Sequence, residues 1–125
     1  MLSVKLPFPD NKLSPNARLH WAKRHRASKQ ARSRASLETI IQWTECNMLG
    51  KLHRWMIGRK TFNLTLDFHP PAAYRYVMDN LIARMKASLD GISDGLGVDD
   101  VGFNITNTSI HPPTKADPHV VVTIS

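Results

Sequence analysis

The 125-residue sequence has a single cysteine, Cys46, so one chain can form no internal disulfide and no cysteine-based zinc site. It has no apolar run near the ~20 residues of a membrane span. The opening Met1-Leu2-Ser3-Val4-Lys5-Leu6-Pro7 lacks the apolar stretch of a signal peptide. A reduced, cytoplasmic protein with no membrane association is expected. His20, His25, His53, His69, His111 and His119 show no HExxH or similar ligand spacing, which argues against a zinc enzyme. A Walker-type glycine loop and a Gly-x-Ser-x-Gly elbow are both missing, as are internal repeats and low-complexity tracts.

One further absence is local. From Asn11 to Leu37 there is no acidic residue, yet eight of the seventeen Lys and Arg fall there: Lys12, Arg18, Lys23, Arg24, Arg26, Lys29, Arg32 and Arg34. Solvated helices usually mix the signs at i±4. An unmixed basic run, within a formal charge of +7 and a pI near 10.0, points to contact with DNA or RNA. The acids gather elsewhere. Five of the ten carboxylates lie between Asp79 and Asp100, namely Asp79, Asp90, Asp94, Asp99 and Asp100. Acids collected in one window of a basic chain suggest metal ions meeting a polyanion.

The chain length predicts one domain over residues 1–125. Leu2, Val4 and Leu6 alternate with polar residues, which reads as a short half-buried strand stopped by Pro7 and Pro9. Ser14-Pro15-Asn16 reads as a turn. A helix is expected from about His20–Lys23 to Asn47, with Leu37, Ile40, Ile41 and Thr44 as its apolar stripe and a first half that projects from the core. Gly50 to Gly58 reads as a connection. Phe62 to Phe68 alternates over seven residues and predicts a strand, ended by Pro70-Pro71. Met78, Leu81, Ile82, Met85, Leu89 and Ile92 follow a helical period, with Gly91, Gly95 and Gly97 loosening the end and Gly95 or Gly97 stopping it. Strands are expected over Val101–Ile110 and Val120–Ile124. The fold class is α+β, a small mixed sheet with two main helices packed against it.

Asp79 at a helix start has a structural explanation as a cap or first-turn carboxylate. Asp99-Asp100 has one as a polar turn. Together they offer hard oxygen ligands for Mg²⁺, an ion that can activate water and shield a phosphate. Lys86, on the same helix face as Asp79, is a candidate to stabilise phosphate charge, with Arg84 as the alternative.

Leu6-Pro7-Phe8-Pro9, Leu13-Ser14-Pro15-Asn16-Ala17-Arg18-Leu19-His20-Trp21, Met78-Asp79-Asn80-Leu81 and Gly97-Val98-Asp99-Asp100 resemble, in order, the RusA-like Holliday-junction resolvases, often carried by prophages. The resemblance implies a homodimeric, Mg²⁺-dependent endonuclease that resolves four-way DNA junctions by paired symmetrical nicks, in DNA recombination and repair. It implies catalytic and metal-binding roles for Asp79 and Asp100, with Asp99 beside them. Asn80 matches the Asn of the family's Asp-x-Asp-Asn motif. Asn16, Arg18, His20, Lys23, Arg24, Arg26, Lys29 and Arg32, with Asn80, are the expected DNA contacts. Two positions depart from the pattern. Val77 stands at the first acidic position, and Ala83 stands where the family lysine is expected, so Lys86 is a substitute rather than a match. Asp67, at the end of the preceding strand, is a candidate replacement carboxylate. Two other functions fit parts of the sequence: a junction-binding protein of the same fold that no longer cuts, and a basic RNA- or ribosome-associated protein.

Overall fold

Alternation in three strands sets the core. In the computed structural model, which covers residues 1–125, β1 (Leu2–Pro7) buries Leu2, Val4 and Leu6. β2 (Phe62–His69) buries Phe62, Leu64, Leu66 and Phe68, and β4 (His119–Ile124) buries Val120, Val122 and Ile124. With successive side chains pointing to opposite faces, these ten apolar residues line one side of the sheet. β3 (Phe103–Ile110) is the exposed edge. The strand order is β1-β4-β2-β3, antiparallel except for the parallel pair β2 and β3. A parallel neighbour demands a crossover. Here the chain between Pro70 and Gly102 supplies it and carries the acid-rich window.

α1 (Trp21–Cys46) has the expected length, with His20 as its N-cap and Asn47 as its C-cap. Its buried face differs from the expected one. Leu37, Ile40 and Ile41 are exposed, and the residues that pack are the small ones, Ala35 and Thr39, against α4 (Lys86–Leu96). The glycines of α4 decide this. A Cβ at Gly91 would lie 2.2 Å from the Arg32 carbonyl oxygen, and one at Gly95 would lie 2.9 Å from the Thr39 Cβ. Close backbone approach therefore replaces interdigitating side chains, and only small residues fit. Gly91 and Gly95 set the helix contact rather than loosening the helix. Gly97, left-handed at φ 69°, is the actual stop.

Two other expectations change. The segment after Gly50 contains a short helix, α2 (Lys51–Met56), which buries Leu52 and stacks Trp55 edge-on against Phe62. The predicted single helix from Met78 is two, α3 (Met78–Arg84) and α4, broken at Met85. Leu81, Met85 and Ile92 still reach the core. The architecture is α+β, a four-stranded mixed sheet with helices on one face. No helix is long and apolar enough to cross a membrane.

Candidate active site

Asp79 falls in the first turn of α3, exposed, after Val77, which occupies the N-cap position and offers no capping oxygen. The carboxylate sits where the helix dipole favours negative charge. Asn80, one residue on, is used at both ends of its amide. Its Nδ2 donates to Ser14 Oγ at 2.8 Å, and its Oδ1 accepts from Arg84 Nε at 2.8 Å. Ser14 is buried, and its oxygen also accepts the Asn16 backbone N–H at 3.2 Å. The Ser14-Pro15-Asn16 turn is thereby tied to the acidic helix across 66 residues of sequence. Arg24 of α1 holds the same loop from the other side by donating to the Ala17 carbonyl.

Asp99 and Asp100 divide their work. Asp99 Oδ1 accepts the Val101 N–H at 3.1 Å and caps the 3-10 turn Asp100–Gly102. Asp100 is half-exposed within that turn, its Oδ2 3.7 Å from Lys86 Nζ. Gly102 fixes where the turn sits, because a Cβ there would lie 2.0 Å from the Lys60 carbonyl oxygen. Lys86 also lies 3.3 Å from Asp90 Oδ1. Lys86, Asp90 and Asp100 are thus brought together as one ammonium between two carboxylates. Asp79 lies in α3, on the other side of the break at Met85, and pairs with no cation. Nowhere do three or more His, Cys, Asp or Glu side chains converge as a metal-binding group.

Asp67 does not reach this region. Alternation puts it on the sheet face opposite Leu66 and Phe68, where its Oδ1 lies 3.0 Å from His111 Nε2. Among the expected DNA contacts, Arg32 is committed elsewhere, to Asp94 through two hydrogen bonds of 2.6 and 3.0 Å. That bond raises the Arg32 pKa and lowers that of Asp94. His20 caps α1 by accepting the Ala22 N–H at 3.3 Å. Asn16, Arg18, Lys23, Arg26 and Lys29 are exposed, and none of the four cations joins an ion pair. Lys23 and Arg26, with Lys12 and Arg34, rim a cleft of about 570 Å³ between α1 and the segment from Leu6 to Leu13.

Two features escaped the sequence. Ser14 reads as one of three turn residues, and nothing local marks it as the buried anchor for Asn80. The second is a row of histidines on the open sheet face. His69 stacks on His111 and on His119, each pair with ring centroids 4.3 Å apart and nearly parallel. Strand register brings them together, which spacing along the chain does not express. Burial lowers the His69 pKa, and its two neighbours add to the shift.

No known family profile matches the chain. A protein of Xylella fastidiosa (strain Temecula1 / ATCC 700964), described only as an uncharacterized protein, is 36% identical over 128 residues, covering 100% of this chain and 76% of that protein. The chain belongs to the same family as that protein.

Proposed function

We propose that the chain is a RusA-like, Mg²⁺-dependent endodeoxyribonuclease that acts as a homodimer on four-way DNA junctions, in recombination and repair. The observation that carries this reading is the Asn80–Ser14 hydrogen bond of 2.8 Å. It ties Leu13–Trp21 to Met78–Leu81, two of the four stretches on which the resemblance rests. That link supports a reading in which the basic loop and the candidate metal ligands act on one substrate.

Carboxylate oxygens are the donors Mg²⁺ takes, and one or two of them with water and substrate phosphates commonly suffice. Asp79 and Asp100 suit the ion in kind and would hold it; Val77 leaves the set at two. When bound, such an ion lowers the pKa of a water and shields the phosphodiester. Lys86 supplies positive charge beside Asp100, Asn80 fixes the loop, and Arg18, Lys23, Arg26 and Lys29 hold phosphates. A second copy suits a junction cut at paired positions, since a two-fold dimer matches paired sites.

Nicking of a synthetic four-way junction, with and without Mg²⁺, is the test. Wild type should cut only with the ion, and Asp79→Asn and Asp100→Asn should each lose at least about a hundredfold in rate, the loss of one strong electrostatic group. Cleavage that survives both substitutions sinks the assignment. A second reading has its own observation: Val77 is 65% exposed at the start of α3, where a carboxylate would be free to act, and offers no donor. In that reading the protein binds junctions without cutting. It predicts an inert wild type that gains activity with Val77→Asp.

A further inference from the structure

The candidate site uses carboxylates and cations, and it leaves one large side chain without a task. Trp21 opens α1 and is 73% exposed. Its indole N–H makes no hydrogen bond within the chain, and its ring touches another only at His20, with centroids 5.6 Å apart and planes tilted by 36°. The other two tryptophans are half-buried. Trp55 lies edge-on to Phe62 and under the Arg59 guanidinium, and Trp43 packs against the core. Scattered exposed apolar residues are ordinary, but a tryptophan this bare lies outside the core's needs. Its surroundings single it out further. Arg18, Lys23, His25 and Arg26 are all exposed around the start of α1, and no acid occurs between Asp10 and Glu38. An exposed aromatic face set among cations is the arrangement that holds unpaired nucleotides, with bases stacked on the ring and phosphates on the charges.

We infer that Trp21 is a stacking platform for an unpaired base of a branched or single-stranded nucleic acid, a DNA strand at a branch point under the function proposed above. The loop before it is held for the purpose. Arg24 donates to the Ala17 carbonyl, and Asn80 donates to Ser14, so the segment Ser14–His20 that leads into Trp21 is tied at two points, one of them to the acidic helix. Stacking is tolerant of sequence, because every base has a π-face. The contact therefore contributes to branch recognition and not to base choice.

The experiment uses a four-way junction carrying one unpaired thymine at the branch, and a fully paired duplex of equal length. The junction should quench the Trp21 emission, isolated as the difference between wild type and Trp21→Phe, and the duplex should not. Trp21→Ala should weaken junction binding about tenfold, the loss of one stacked base. Trp21→Phe should stay within about threefold of wild type, because an aromatic face remains. The slope of log affinity against log salt should be the same in all three, since indole neutralises no phosphate. Wild-type binding that is unchanged in Trp21→Ala overturns the platform and leaves the nuclease reading standing. A weaker Trp21→Ala with a shallower salt slope also overturns it, showing that the ring served only to place cations. If wild type binds no nucleic acid, both the platform and the function it rests on fall.

Discussion

The two faces of the sheet are built on opposite rules. On the covered face everything is settled by shape. Ten strand residues alternate into the core, and α1 lies so close to α4 that only glycine fits at positions 91 and 95. On the open face no helix packs, and polar groups from neighbouring strands meet in a row. His119, His69 and His111 form one such row, and Asp67 joins it through His111. The candidate site lies on α3, α4 and the turn after them: the helices bury Leu81 and Ile92 and leave Asp79 and Lys86 exposed, and Asp100 follows in the 3-10 turn. Stability and chemistry are therefore separable: one lies beneath the helices and the other on top of them.

Adding one methyl to the covered side is the strongest way to break that contrast. Gly91→Ala drives a Cβ to 2.2 Å from the Arg32 carbonyl oxygen, a backbone atom that cannot swing away. The helices must separate. Overpacking of this kind costs about 3 kcal/mol, and the midpoint of thermal unfolding should fall by roughly 10 °C. Circular dichroism melts measure it. A midpoint within about 2 °C of wild type would mean that the seam is not close-packed.

Next in size is the link between the covered elements and the rim. Asn80→Ala removes the donor to Ser14 Oγ and the acceptor for Arg84, at a site that is partly buried. The loss should be about 1–2 kcal/mol in urea unfolding. The loop from Ser14 to His20 should also become susceptible to proteolysis, a readout that a purely local loss would not move. Asp79→Asn, by contrast, changes an exposed group with no partner and should stay within about 0.5 kcal/mol of wild type. An Asp79→Asn protein that unfolds more easily than Asn80→Ala would reverse the division between framework and chemistry.

The same division explains what the sequence made legible. Alternation in β1, β2 and β4, the limits of α1 and the Gly97 stop all follow from local pattern, so the fold class could be read directly. The packing of α1 could not, because hydrophobicity favoured Leu37, Ile40 and Ile41, while the real criterion was smallness set by Gly91 and Gly95 on another helix. Asp99 could be read as a turn residue and is one. The pairing of Arg32 with Asp94, 62 residues away, was beyond any local pattern. Asp67 is a candidate by its place near the end of β2, but alternation fixes its face, and that face is the open one.

The smallest expected effect belongs to the open face and appears only with pH. His69 is held below its ordinary pKa of 6.5, first by partial burial between two rings, then by repulsion from His119 and His111 when they are charged; Asp67 and Asp117 act in the other direction. In the window between that lowered value and 6.5 the unfolded chain binds more protons at this position than the folded one. Stability must therefore fall as pH drops through the window, and it is fully present above it. Asp117 also has a depressed pKa, through its bond with Lys5, but its contribution is lost only at more acidic pH, below the ordinary carboxylate value of 3.8. The two groups thus titrate in different ranges. Urea unfolding from pH 7.5 to 5.0 should show a decline in wild type that is smaller in His69→Asn, which removes the crowded middle ring. A wild-type stability that rises on acidification would show that the stacked row gains from protonation, and that the open face is held by charge after all.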